Sequence, residues 1–236
     1  MHYNDTLIII PAFNEEATIS TVIKSIKREC PRMAIVVVND GSRDATSEKA
    51  KNSNVEVIDL PFNLGIGGAV QTGLRYAMEN GFKKAVQLDA DGQHDPKQIS
   101  LLLKNLEGFD LTIGSRYLRK TKYPLSPLRK FGNNIFSFLI KMTCGETITD
   151  STSGFRGFGP RAISFFSDHY PADFPEPRSI VTFLKNRYKI REISCEMKKR
   201  QGGVSSITPL KAVYLMLSIP IAILFESVKV KEARYE

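Results

Sequence analysis

The stretch Gln87-Leu88-Asp89-Ala90-Asp91-Gly92-Gln93-His94-Asp95-Pro96 decides how the chain is read. The run from Phe82 to Leu88 before it has the pattern of a strand, and Pro96 after it suits the first position of a helix. Asp89 and Asp91 then stand at the carboxyl end of a strand, where ligands bind in open α/β sheets. Two carboxylates one residue apart can grip a hard divalent cation together with the phosphates of a substrate. The competing use of such a stretch is an acidic turn that caps the next helix. An EF-hand loop is excluded, because it needs glycine at its sixth position whereas here glycine comes fourth, counted from Asp89.

Composition sets the bounds around that stretch. A chain of 236 residues, 42% hydrophobic, can bury one sizeable core or two closely joined lobes. The net charge of +8 is unevenly placed, with six basic residues and no acidic one between Arg116 and Lys130. This favours an anionic partner, and nucleic acid is not expected. Cys30, Cys144 and Cys195 are odd in number and lack metal-site spacing, which points to inert thiols in a reducing compartment. No basic-then-apolar leader follows Met1, and the uncharged run Ala212 to Phe225 is short for a span and contains Pro220. The expectation is a cytoplasmic protein, resting peripherally on the cytoplasmic face of a membrane.

Strands alternate with helices on either side of the acidic stretch. Thr6 to Ile10 is a β-branched run of the kind buried on both faces of a parallel sheet, and it is expected to stop at Pro11. Pro11 to Glu16 reads as a loop into a helix, with Asn14 as its cap and Ile19, Val22, Ile23 and Ile26 at helical spacing. Ala34 to Val38 is a second strand, running into Asn39-Asp40-Gly41-Ser42-Arg43-Asp44. Asp40 can accept from the N–H edge of a nucleobase or form a turn beside a Ser42 cap. Val55 to Leu60 is a third strand, followed by Asn63-Leu64-Gly65-Ile66-Gly67-Gly68. A dinucleotide fingerprint there would need glycine where Val70 stands, so these glycines are read as permitting a tight turn and close helix packing. Asp110 to Gly114 is a fifth strand closing the first half. Right-handed crossovers between such strands gather all the polar loops on one edge of a mostly parallel sheet.

Five motifs, in this order, resemble those of family 2 inverting glycosyltransferases with the GT-A fold: Ile10 to Glu16, Val38 to Asp44, Asn63-Leu64-Gly65, Asp89 to His94, and Gly114-Ser115-Arg116-Tyr117. Within that family the chain is most similar to the dolichol-phosphate mannose synthase and polyprenyl-phosphate glycosyltransferase branch, over roughly residues 5 to 205. The resemblance implies an α/β Rossmann-like sheet with helices on both faces and a smaller acceptor-side subregion. It implies a nucleoside held by Pro11, Ala12, Glu15 and Asp40. It also implies a divalent cation, Mg²⁺ or Mn²⁺, held on the donor diphosphate by Asp89, Asp91 and Gln93, with Ala90 among the donor-binding residues. The donor is a UDP-, GDP- or dTDP-sugar. In that branch the residues matching Arg116, Arg129 and Asn133 grip the phosphate of a lipid acceptor; Arg129 and Asn133, four apart, share a face if helical.

Asp150-Ser151-Thr152-Ser153-Gly154-Phe155-Arg156 resembles the family's motif beside acceptor and diphosphate, with Asp150 as its carboxylate. Where a general base is expected, the proline-interrupted run Tyr170 to Pro177 offers both Asp173 and Glu176. A phosphate acceptor is already nucleophilic, whereas a sugar hydroxyl would need one of them. After an apparent strand from Lys189 to Met197, the loop Lys198 to Ser206 reads as a lid whose Arg200 neutralises the leaving diphosphate. Residues 1–206 thus read as the transferase domain, divided into a nucleotide-sugar half (1–115) and an acceptor-side half (116–206). Residues 207–236 hold an apolar helix, Pro209 to Glu226, suited to core packing, a membrane surface, a small membrane subunit or a second copy of the chain. Two other functions stay open: a sugar-1-phosphate nucleotidyltransferase, which lacks support because Pro11 to Glu16 is not a glycine-rich loop, and a non-catalytic nucleotide-sugar-binding subunit.

Overall fold

A computed structural model of the chain describes residues 5–118, 127–198 and 209–228. It opens with β1 (Thr6–Ala12), α1 (Ile19–Glu29), β2 (Ala34–Asn39), α2 (Thr46–Lys51), β3 (Glu56–Asp59), α3 (Gly65–Glu79) and β4 (Lys84–Gln87). A 3-10 turn at Pro96–Gln98 leads to α4 (Ile99–Lys104) and β5 (Leu111–Ser115). The second half comprises α5 (Pro127–Cys144), β6 (Arg156–Phe158), α6 (Pro160–His169), α7 (Pro175–Lys185), β7 (Ile190–Ser194) and α8 (Pro209–Val228).

The seven strands form one sheet in the order β3-β2-β1-β4-β6-β5-β7, parallel except for β6, which runs antiparallel to both neighbours. Residues 7–10 explain the central position of β1. Leu7 and Ile9 enter one core with α3, α6 and α7, while Ile8 and Ile10 enter the other with α1 and α4. All four are at most 1% exposed, each contributing roughly 1.5–3 kcal/mol of burial.

The structure corrects several expectations. Pro11 does not end β1, which continues to Ala12 paired with β2. Pairing with β4 stops at Ile9 opposite Gln87, so the missing N–H of Pro11 interrupts no ladder. Asn14 does not cap α1: it is left-handed at φ 55, and the helix starts at Ile19 from the Glu15 carbonyl, which accepts the Thr18 and Ile19 N–H groups. Ser42 caps nothing either, since α2 opens at Thr46, whose N–H donates to Asp44 Oδ1 at 3.0 Å. Several strands are shorter than their apolar runs, β4 beginning at Lys84 and β7 ending at Ser194. Between β4 and β5 the sheet takes in β6, a strand not expected from its Arg-Gly-Phe sequence, which has no periodic signal.

Candidate active site

The loops at the carboxyl ends of β1 and β2 are interlocked. The Asn14 N–H donates to Ser42 Oγ and the Arg43 N–H to Asn14 Oδ1, both at 2.9 Å, and the Glu15 N–H donates to Thr46 Oγ1 at 2.8 Å. Asp40 ties in a third loop. Its N–H donates to the Ala12 carbonyl at 2.8 Å, and its Oδ1 accepts the Leu64 N–H at 2.7 Å, just before α3. Burial raises its pKa, and the N–H groups of Leu64 and Gly65 work against that. Gly41 permits the junction, for at φ +69 a Cβ there would lie 2.8 Å from the Asn63 nitrogen. Gly67 serves packing: a Cβ would meet the Pro171 carbonyl oxygen at 2.3 Å. Pro11, Ala12, Glu15 and Asp40 thus fall in one loop cluster, with Pro11, Ala12 and Asp40 buried and Glu15 half-buried.

The acidic loop closes next to this cluster. Asp91 is not an exposed carboxylate: it is 9% exposed, and its Oδ1 accepts the Gln93 N–H at 3.0 Å, forming the turn in which Gly92 takes φ 75. The Asp89 side chain is 36% exposed. It lies against Gly154, where a Cβ would stand 3.0 and 3.1 Å from its two oxygens. Ala90 is buried. Helix capping falls to Asp95, whose side chain accepts the Lys97 N–H at 3.2 Å. Asp89, Asp91 and the Gln93 amide are hard oxygen donors of the kind Mg²⁺ and Mn²⁺ take.

The third group forms where β5 meets the 149–152 loop. The Arg116 guanidinium grips Asp150 through Nε and Nη2, each at 2.7 Å, its backbone N–H donates to the same carboxylate at 2.9 Å, and Nη2 also donates to Thr152 Oγ1 at 2.8 Å. Burial lowers the pKa of Arg116, but the hydrogen bonds and charge of Asp150 outweigh it and the net shift is upward. Asp150 is fully buried. Asn133 is buried too: its Nδ2 donates to the Thr149 carbonyl at 2.6 Å and its Oδ1 accepts the Ser151 N–H at 3.1 Å. Both side chains therefore build the loop. The side chain of Arg129, in the first turn of α5, and the whole of Arg200 lie outside the described residues.

Asp173 and Glu176 part company. Asp173 is exposed, and its carbonyl accepts from Arg178 Nη1 at 3.1 Å. Glu176 is half-buried in the first turn of α7, and burial raises its pKa, with Arg156 opposing and Asp89 reinforcing the shift. The Asp89 charge acts on Arg116 as well, so Asp89, Arg116 and Glu176 share one electrostatic neighbourhood.

Three residues of this site were not singled out from sequence. Glu192 accepts the N–H groups of Thr149 at 2.6 Å and Asp150 at 2.8 Å, carrying the loop that carries Arg116. Arg156, fully buried, donates to the Ser153 carbonyl at 2.8 Å, Ser179 Oγ at 2.7 Å and the Glu176 carbonyl at 2.9 Å, fixing the start of α7. His94, inside the acidic stretch, accepts the Asp89 N–H at Nδ1 at 3.1 Å. His94 lies inside the acidic stretch and Arg156 at the end of the 150–156 motif, but the partners of Glu192 and Arg156 are 20 to 43 residues away, apart from Ser153, and carry no pattern.

The profile of "Glycosyl transferase family 2" matches residues 7–164. The chain is similar to a UDP-N-acetylglucosamine–dolichyl-phosphate N-acetylglucosaminyltransferase of Methanococcus voltae, 34% identical over 79% of this chain and 82% of that one. It is also similar to a polyprenol monophosphomannose synthase of Mycolicibacterium smegmatis, 33% identical over 65% of this chain and 61% of that enzyme. In fold it matches glucosyl-3-phosphoglycerate synthase of Mycobacterium tuberculosis, solved with Mn²⁺ and UDP, at a TM-score of 0.72 and 20% identity, covering 97% of this chain and 81% of that one.

Proposed function

The chain belongs to glycosyl transferase family 2, with the GT-A fold, and from that premise we propose that it moves a sugar from a nucleotide sugar to the phosphate of a polyprenyl-type lipid, with inversion at the anomeric carbon. The observation that carries this reading is that the Asp89 oxygens lie against Gly154, in the loop whose Asp150 and Thr152 hold Arg116, at the loop edge of the sheet. The acceptor class comes from the relatives, two of which are named for transfer to dolichyl phosphate or polyprenol monophosphate. Pro11, Ala12, Glu15 and Asp40 hold the nucleoside; Asp89, Asp91 and Gln93 would hold Mg²⁺ or Mn²⁺. When bound, that ion neutralises the departing diphosphate. Two carboxylates suffice because substrate phosphates complete the coordination in sites of this type. Arg116, fixed by Asp150, presents positive charge beside Asp89, and Arg129 and Arg200 are assigned to the acceptor phosphate and the leaving diphosphate. The acceptor oxygen attacks the anomeric carbon as the bond to the diphosphate breaks. It arrives ionised, so no protein group takes a proton.

Glu176 tests that last step. Against a phosphate acceptor, Glu176→Gln is expected to keep transfer within about tenfold of the parent, measured at saturating donor. A base on a hydroxyl acceptor contributes about 10²–10⁴-fold, so a loss of that size would move the acceptor to a sugar hydroxyl with Glu176 as base. The broader test is incubation with a panel of UDP-, GDP- and dTDP-sugars, Mg²⁺ or Mn²⁺, and a polyprenyl phosphate. Absence of both transfer and nucleotide binding would overturn the enzyme reading.

A lipid acceptor calls for a lipid surface. No helix among the described residues is long and apolar enough to cross a membrane. However, α8 buries Ile219, Ile223 and Glu226 while exposing Leu217 (67%), Ile221 (58%) and Phe225 (69%). Its neighbour α5 exposes Phe131, Phe138 and Met142, spaced along one face. We assign these two faces to the membrane interface on the cytoplasmic side, with neighbouring lysines at the head groups. Flotation with anionic liposomes is expected to recover the protein at low salt and less at high salt. The pair Leu217→Glu and Phe225→Glu should abolish recovery without changing the thermal midpoint. Flotation indifferent to both substitutions, or light scattering showing that these faces close a dimer, would reject the assignment. Deleting α8 is the wrong control: Glu226 accepts from Arg178 Nη2 at 2.9 Å and Thr182 Oγ1 at 2.9 Å, and Ile223 is in the core.

A further inference from the structure

His94 has two nitrogens, and one of them is bonded to Asp89. The Asp89 N–H donates to Nδ1 at 3.1 Å, so Nδ1 carries no proton and the neutral ring holds its hydrogen on Nε2. Nε2 stands 3.7 Å from Asp89 Oδ2, near the carboxylate but beyond hydrogen-bond distance. The ring itself has little freedom. Its side chain is 3% exposed, it stacks on Phe155 with centroids 4.9 Å apart and planes at 21°, and its backbone bridges Met197. One residue back, the Gln93 carbonyl accepts the Lys198 N–H at 2.8 Å, so the segment that follows β7 clamps the same turn. Gly154 also lies close to the Asp89 oxygens, where a Cβ would stand 3.0 and 3.1 Å from them. A histidine placed only to fill the core would need one of these contacts. This one faces the main chain and the side chain of a single aspartate.

We propose that His94 is a positioning residue that, by accepting the Asp89 N–H, fixes where the Asp89 carboxylate stands, and through it the affinity of the site for a divalent cation. This rests on the reading that Asp89 and Asp91 hold such a cation. Ligands of this kind owe their orientation to hydrogen-bond partners behind them, whose loss typically weakens metal binding about 10–100-fold. Asparagine and leucine test the observed bond. His94→Asn keeps an acceptor where Nδ1 stood, whereas His94→Leu fills the space without one.

The experiment is titration of the full chain with Mn²⁺ in the presence of UDP or GDP, following free Mn²⁺ by electron paramagnetic resonance, with thermal midpoints in parallel. The expected result is that His94→Leu, still folded at the assay temperature, binds Mn²⁺ at least about tenfold more weakly than the parent. His94→Asn should bind more tightly than His94→Leu. Parent-like affinity in His94→Leu, or the reverse order of the two variants, overturns the proposal. Asp91→Ala is the control that keeps the two readings apart. If it binds Mn²⁺ as the parent does, the cation site itself is misplaced; if it alone loses binding while both His94 variants keep it, the site stands and His94 has no part in it.

Discussion

Asp91→Ala is expected to abolish sugar transfer, by at least about a thousandfold or on the order of 4 kcal/mol in the barrier, while the chain stays folded. The size follows from the charge: Asp91 is one of two carboxylates assigned to a cation that faces a leaving diphosphate, and alanine offers neither charge nor oxygen. The structure refines what the variant does to stability. Because Asp91 Oδ1 accepts the Gln93 N–H at 3.0 Å within a buried turn, alanine also removes a local hydrogen bond worth about 1 kcal/mol. Asp91→Asn preserves that acceptor and changes only the charge. Its thermal midpoint should therefore match the parent, its transfer should be nearly as low as that of Asp91→Ala, and raising Mn²⁺ should recover part of it through the remaining amide oxygen. Parent-like transfer in Asp91→Ala would remove the cation role and leave the residue as the turn former its sequence also allows.

The contrast between β1 and β6 shows what could be read from residues alone. Residues 7–10 are apolar on both faces, and a strand buried on both faces has to lie inside a sheet, which placed the loop after it at the ligand edge. The same logic brought Asp40 and Asp89 together, because both follow strands that run parallel to β1. β6 is three residues long and owes its place to Arg156, whose guanidinium is spent on the Ser153 carbonyl and on two atoms of α7. No local pattern encodes a partner that arrives from a helix 20 residues downstream. The proline-rich run before α7 hid Glu176 for a related reason: Phe174 turns the chain at φ 48, so spacing along the sequence says little about which carboxylate points inward. Arg116 and Asn133 were chosen as anion-binding types in a basic region. Their observed hydrogen bonds go first to the 149–152 loop, a use that composition does not distinguish from ligand binding.

That double use of Arg116 leads to the second large effect. Asp150→Ala is expected to cost roughly 3–5 kcal/mol of stability, because it leaves a guanidinium whose side chain is only 17% exposed without its counter-ion. Arg116→Ala should cost a comparable amount by stranding a fully buried carboxylate. Replacing both with apolar residues of similar volume, Arg116→Met with Asp150→Leu, should recover most of the stability, since a buried ion pair exchanged for packed hydrophobic groups is often neutral. Transfer separates structure from chemistry. If Arg116 only holds the loop, the restored double variant regains activity along with its fold. If Arg116 also places positive charge next to Asp89 and the acceptor phosphate, the double variant unfolds at the parent's urea midpoint yet transfers at least about a hundredfold less, the range seen when one electrostatic contact to developing charge is removed. The second outcome is expected. The Asp89 oxygens lie against Gly154 of the loop that the guanidinium grips at Thr152, which sets Arg116 beside the carboxylate assigned to the cation. Recovery of both stability and transfer in the double variant would reduce Arg116 to a structural clamp and leave the acceptor phosphate to Arg129.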